Sequence, residues 1–220
     1  MVTGHWEAER FTASSAERPG MIYDYSGFPA HTYQIRYPAP GSAAVAERTR
    51  ELLAKAGLPA GLDDQRGYDH GTFTPLAVMY PDADVPIVML SLRHGYDPDE
   101  HLAAGRALKP LRDEGVVILG SGLSWHNLRM FGPAAQGPSR QFDDWLGKTL
   151  ESPPAERTRR LKEWSSAPAA RLAHPEEDHF VPLMVAVGAA EDEAATRIYH
   201  EEGFMGGVTA SSYRFGTPTQ

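Results

Sequence analysis

The chain has 220 residues, is 41% hydrophobic and 23% charged, carries a formal net charge of −8 and has a pI near 5.6; this suits one globular domain with a real core and argues against disorder, a fibrous repeat, or a surface for nucleic acid or anionic membrane. It contains no cysteine, which excludes disulfides, thiolate metal sites and cysteine nucleophiles, so any metal must be held by histidine and carboxylate. No apolar stretch nears the ~20 residues of a membrane span and no signal peptide opens the chain, so a cytoplasmic, enzyme-sized domain is the expectation.

Val2 and Thr3 read as the end of a strand, with His5 just past it. Residues 7 to 42 are rich in Pro, Gly, Ser and aromatics (Tyr23, Tyr25, Phe28, Tyr33, Tyr37). They read as a long connection, and connections of this length are more often functional than ornamental. Ala43 to Ala56 has helical spacing, with Val45, Leu52, Leu53 and Ala56 on one face and Gly57 ending it. A polar loop over 63–73 carries Tyr68-Asp69-His70-Gly71, and a short helix is predicted around Leu76 to Tyr80. Pro86 to Leu92 reads as a buried strand. In Asp97-Pro98-Asp99-Glu100 the first residue is an N-cap, the proline takes the first helical position and Glu100 stands in capping-box register. The helix it starts turns Ala104, Leu108 and Leu111 inward, with a kink at Pro110.

Val116 to Leu119 is apolar without alternation and reads as a strand buried on both faces. Strand, helix and strand then form a βαβ unit with parallel strands and a right-handed crossover. Gly120-Ser121-Gly122 breaks the second strand and permits a tight turn, delivering His126 and Asn127 to the rim of a sheet, where chemistry in open α/β folds usually sits. Phe142 to Leu150 and Glu156 to Trp164 are predicted helices. Phe180, Leu183, Met184 and Val187 keep helical spacing while Val181 and Val185 fill the other sides. That helix is therefore buried, and Pro182 confines its start to the neighbourhood of His179. Val208 to Phe215 reads as a closing strand.

Of nine histidines, four lie at or near transitions between elements: His5, His70, His126 and His179. A helix N-terminus disfavours imidazolium and keeps His179 neutral, as a metal ligand must be. His31, His94, His101 and His200 read as surface residues, and His174 is left open. Glu176-Glu177-Asp178 reads either as acidic residues favouring a helix N-terminus or as a carboxylate that ligates metal or orients His179. Gly120-Ser121-Gly122-Leu123-Ser124-Trp125 fails as a dinucleotide loop, because Trp125 replaces the last glycine, and fails as a nucleophile elbow on spacing.

Ordered motifs run through the chain: Gly4-His5-Trp6-Glu7, residues 22–29 (Ile22-Tyr23-Asp24-Tyr25 to Pro29), Tyr37-Pro38-Ala39-Pro40-Gly41 and Tyr68-Asp69-His70-Gly71. They continue through residues 79–86 and 111–115, Gly120-Ser121-Gly122, His126-Asn127-Leu128-Arg129, His174-Pro175 and Asp178-His179-Phe180. On these residues the chain resembles the class III extradiol ring-cleaving dioxygenases, in the branch of 4,5-DOPA dioxygenase, related to the protocatechuate 4,5-dioxygenase catalytic subunit. The resemblance implies a three-layer α/β/α fold with a central, mostly parallel or mixed sheet, as one catalytic domain over 1–216 followed by a tail over 217–220. It implies one divalent non-haem metal, Fe2+ or Zn2+, with His5 and His179 as ligands. His126 would be the acid/base residue, titrating near neutrality and also counted among the ligands; His70 would line the pocket and meet substrate or oxygen. The implied partners are a catechol-type aromatic and O2, both of whose atoms enter a semialdehyde product, with no nucleic acid and no membrane; a homo-oligomer is left open. Members of the family open with a strand ending in His-Gly-Ser-Pro, which carries a further ligand. This sequence has no such motif. Two expectations follow: a start codon placed too late, or a real truncation, whose missing strand would leave an open groove in the core and a metal held weakly unless His126 or Glu177 joins the ligands. A non-catalytic relative acting as a binding module is the alternative reading, and a metal-dependent hydrolase a distant third.

Overall fold

The computed structural model describes residues 1–216; the tail over 217–220 lies outside the described residues. Strand β1 is Val2–Ala8 and β2 is Phe11–Ser14. After the long connection come α1 (Ala43–Lys55), β3 (Ala60–Asp63), α2 (His70–Met79) and β4 (Leu90–Arg93). Helices α3 (Pro98–Leu108) and α4 (Pro110–Asp113) lead to β5 (Gly120–Ser121). Then follow α5 (Pro133–Leu150), α6 (Pro154–Lys162), α7 (Ala170–Ala173) and α8 (Pro182–Ala189), and a hairpin of β6 (Ala195–Phe204) with β7 (Val208–Phe215).

The five-stranded sheet has the order β3-β2-β4-β1-β5; β1 is parallel to both β4 and β5, β2 is parallel to β3, and β2 meets β4 antiparallel through Ala13 and Leu90. Leu90 and Leu92 join Val2, Phe11, Leu53, Leu108 and Val185 in one apolar layer under α1, α3 and α8. Met89 points the other way, into a layer of Tyr37, Tyr68, Phe73 and Leu76 formed by α2 and the long connection. Helices thus cover both faces, and the mixed three-layer α/β/α expectation holds. A third cluster, with Trp125, Phe142, Trp164, Phe180 and Val208, packs α5 to α8 against the hairpin. No helix among the described residues is long and apolar enough to cross a membrane.

Where local chemistry dictates an element, expectation and structure agree. The Asp97 side chain accepts the backbone N–H of Glu100 at 3.0 Å and Pro98 opens α3. Pro110, which cannot continue the ladder, divides α3 from α4. Helix α8 starts at Pro182, with a buried Met184, Val185 and Val187.

Three expectations are corrected. Residues 116–119 are extended, but only Gly120–Ser121 form the strand, and Val117 is 65% exposed. The reason is position: β5 is the edge of the sheet, and its outer side faces a groove of about 800 Å³ lined by residues 115–120, Leu183 and residues 211–215. Second, Gly120-Ser121-Gly122 makes no positive-φ turn. Gly122 is there because the carbonyl of His179 passes where a Cβ would stand, accepting the Leu123 N–H at 3.2 Å. Third, β1 continues past Thr3, and His5 lies inside it. A smaller pocket, of about 40 Å³, lies among Val2, Val88, Leu90 and residues 116–118.

Strand β1 carries the irregularity that matters. Val2 pairs with Leu90 and Glu7 with Leu92, so five steps on β1 match two on β4. In a regular strand Val2 and Trp6 would share a face; here Val2 packs under α1 and α3, and Trp6 packs on the α2 side. Bulges of this kind re-aim a side chain. The irregular stretch contains His5.

Candidate metal centre

Four elements deliver the four histidines to one place. His5 comes from the irregular part of β1, His70 from the first position of α2, His126 from the segment after β5, and His179 from the turn before α8. The Nε2 atoms of His5 and His179 face each other at 3.1 Å. The His126 ring stacks on His179, with centroids 3.3 Å apart and planes within 14°. His70 lies on the other side of His5, at a centroid distance of 4.0 Å.

Backbone contacts fix these positions. The His126 N–H donates to the Ala173 carbonyl at 2.9 Å, and the Asn127 side-chain amide donates to the Leu172 carbonyl at 2.9 Å. Gly4 makes room for His179: a Cβ there would stand 2.8 Å from the Asp178 carbonyl and 3.0 Å from the His179 ring. The Asp69 carboxylate caps α2 through the Thr72 N–H at 3.0 Å and pairs with Arg66 at 2.9 Å.

Two carboxylates stand behind the ring pair. Asp178 Oδ2 is 2.8 Å from His179 Nδ1, and Asp24 Oδ2 is 3.2 Å from His5 Nδ1. Both are ion-pair distances, and His179 Nδ1 makes no hydrogen bond; the negative charge beside each Nδ1 favours a proton there and leaves Nε2 as the donor atom for a cation. Without a cation the two Nε2 atoms make an N–H···N hydrogen bond, and with one both nitrogens would serve as donors to it. Imidazole nitrogens are donors that a divalent transition metal takes. The residues present therefore fit a divalent metal bound by imidazole nitrogen.

Electrostatics agrees. Burial, followed by repulsion from His70 and His179, pushes His5 down to about 4. Burial and then His179 push His126 down to about 4 as well. Both rings are neutral at pH 7, as ligands require. For His126 the cause is partial burial first and the stacked His179 second. Burial raises the Asp24 carboxyl, but the hydrogen bonds it accepts from the side chain and backbone of His70 outweigh this, and its pKa lies below the ordinary value.

All four predicted site residues are brought together. Two site carboxylates carry no settled role in the sequence. Asp178 stood in an ambiguous acidic run, of which Glu177 is engaged with Arg171 at 2.7 Å and Asp178 alone faces the ring pair. Asp24 was visible only as a lone carboxylate within an aromatic motif. Together the described residues offer two groups of metal-binding type, His5-Asp24-His70 and His126-Asp178-His179. His31, His94 and His200 lie apart from the site, as expected. His101 is not a surface residue: it is fully buried, its Nε2 accepting the Arg93 N–H at 3.1 Å and its Nδ1 lying 2.7 Å from the Asp97 carbonyl. His174, left open, is fully buried among Phe142, Trp164 and Phe180.

A family model described as the catalytic LigB subunit of aromatic ring-opening dioxygenase matches residues 1–216. The 4,5-DOPA dioxygenase extradiol of Beta vulgaris is 38% identical over 219 residues, covering 98% of this chain and 81% of that one. The protein of the same description from Escherichia coli K12 is 34% identical over 98% of this chain and 81% of its own length. The crystal structure of an uncharacterised E. coli K12 protein, JW3007, superposes with a TM-score of 0.82 at 31% identity, covering 98% of this chain and 84% of that one.

Proposed function

We propose a division of labour for this chain, which belongs to the LigB family of class III extradiol ring-cleaving dioxygenases related to 4,5-DOPA dioxygenase and is a metal-dependent, O2-using enzyme. His5 and His179 hold the metal through Nε2, His126 completes the site beside His179, and His70 faces the substrate. Residues 1–216 act as one catalytic domain. The single observation that carries this reading is the 3.1 Å approach of two Nε2 atoms, each with a carboxylate at the opposite ring nitrogen.

The metal we assign is Fe2+. Imidazole donors with open positions suit it, and ring opening by O2 needs a redox-active centre, which Zn2+ is not. When bound, the metal supplies Lewis acidity toward the two hydroxyls of a catechol and an electronic link between that ring and O2. The protein does the rest. His70 Nδ1 is held by Asp24 at 2.7 Å, so Nε2 is the nitrogen free to accept a substrate hydroxyl proton. His126, neutral and stacked, is a second acceptor at the same rim.

The substrate class follows from the approach to His70. Tyr25 lies edge-on to His70 at 5.4 Å, and Phe28, 60% exposed, lies edge-on to Tyr25 at 5.5 Å. The hydroxyls of Tyr23 and Tyr25 are already donated to the Ile35 and Thr32 carbonyls. The tyrosines thus present apolar ring surface, which suits a flat aromatic. The test is anaerobic loading with Fe2+ or Zn2+, then oxygen uptake with a panel of catechols. The expected result is uptake and a coloured semialdehyde with Fe2+ alone; stoichiometric Fe2+ with no uptake on any catechol would sink the catalytic assignment in favour of a binding module.

A further inference from the structure

We infer that Asp24 is a positioning residue shared by two histidines, one carboxylate setting the tautomer of His5 for the metal and of His70 for the substrate. The inference rests on the roles given to those two rings above.

The geometry is specific. Asp24 Oδ2 lies 3.2 Å from His5 Nδ1, while Oδ1 lies 2.7 Å from His70 Nδ1 and accepts the His70 backbone N–H at 3.0 Å. His70 is the first residue of α2, so that N–H has no partner within the helix, and the carboxylate also lies at the favourable end of the helix dipole. Asp24 thus acts on three groups at once, two of them imidazole nitrogens.

The loop that carries Asp24 is tied to the residues it serves. The Ile22 N–H donates to the Tyr68 carbonyl and the Tyr68 N–H to the Gly20 carbonyl, each at 2.8 Å. Asp24 and His70 lie two residues beyond those bonds, Ile22 to Asp24 on one side and Tyr68 to His70 on the other, so their relative height is fixed by backbone. On the far side of Asp24, the Tyr25 hydroxyl donates to the Thr32 carbonyl at 2.7 Å.

Direct ligation by Asp24 is the competing role, because His5, Asp24 and His70 alone could hold a cation. That arrangement would use His5 Nδ1 and leave His5 Nε2 facing His179 Nε2 without purpose. Ligation through the two Nε2 atoms would instead use the nitrogens that face each other, with a carboxylate near the Nδ1 of each ring.

The test compares Asp24→Asn, Asp24→Ala and His70→Ala in the whole chain, with far-UV circular dichroism to establish folding. An asparagine side chain offers one accepting oxygen, so it can hold one ring as the Nδ1–H tautomer but not both. Zn2+ affinity by chelator competition is expected to fall about 10- to 100-fold in Asp24→Asn and to change less than about threefold in His70→Ala. In the metal-free protein, 15N shifts of the imidazoles are expected to show Nδ1–H for His5 and His70, with one of them mixed in Asp24→Asn. An Asp24→Asn protein with wild-type Zn2+ affinity and wild-type tautomers would overturn the inference. So would equal affinity losses in Asp24→Asn and His70→Ala, which would indicate direct ligation. If the wild-type chain binds no metal, the ligand assignment fails instead, and the tautomer measurement still decides the role of Asp24.

Discussion

The molecule buries imidazoles in two ways, and the contrast between the sheet rim and the start of α3 shows how to tell them apart. His101, buried in α3, spends both ring nitrogens on backbone, accepting from Arg93 and meeting the Asp97 carbonyl. Nothing is left over for a ligand. At the rim, His5 and His179 have a carboxylate at each Nδ1 and only each other at Nε2. Burial alone therefore does not mark a functional histidine; an unspent nitrogen pointed at a second unspent nitrogen does. His174 shows the intermediate case, buried among aromatic rings with neither nitrogen in a hydrogen bond.

The contrast breaks most directly at the rim. His5→Ala or His179→Ala should lower Zn2+ or Fe2+ affinity by more than about 100-fold, beyond the range of an outer carboxylate, and abolish oxygen uptake; chelator competition and an oxygen electrode measure both. A variant that keeps full affinity would remove that ring from the ligand set. Next in size is the pH course of the metal-free protein. His5 and His126 are pushed down to about 4 and His174 to about 3, in each case by burial first. The unfolded chain, with ordinary histidines, binds protons more readily in this range, so stability should be full above about pH 6.5 and decline as pH falls toward 4. Urea titrations across that range should show the slope, and metal loading should steepen it, since protons then compete with the metal as well.

At α3 the expected response is structural and not functional. His101→Leu strips the Arg93 N–H of its acceptor and should cost about 2 kcal/mol in a denaturant titration, with metal affinity unchanged. A loss of affinity there would blur the distinction between the two regions. Smallest is Asp97→Ala, which removes the cap of the same helix and should cost about 1 kcal/mol, again without touching the rim. Equal thermal shifts for His101→Leu and Asp97→Ala would mean that the imidazole adds nothing beyond its place in the helix.

Much of this was readable in the sequence because it is local. The Asp97-Pro98 start of α3, the break at Pro110, the end of α1 before Gly57 and the buried character of α8 all follow from side chains acting within a few residues of themselves. The four site histidines were legible because each stands in an ordered motif at or near a change of element. The misreadings share a different cause. Val116 to Leu119 has the composition of an interior strand, but strand order puts it beside the sheet edge. His101 follows a polar helix start and looks exposed, yet the helix lays it edge-on against Phe11 at 5.1 Å. Strand β6 was missed altogether: its side chains are mostly exposed, so it lacks the hydrophobic alternation by which strands are recognised.

By itself, then, the sequence determined the types of element, the family, and which imidazoles to watch, since these depend on short-range propensity and on motifs in order. Only the tertiary structure decided which nitrogens are free. That choice depends on the pairing of the irregular stretch of β1 that holds His5, on the carbonyl of His179 passing over Gly122, and on Asp24 reaching His70 across 46 residues of chain. Each is a contact between segments remote in sequence, and no local pattern of residues encodes a distance between remote atoms.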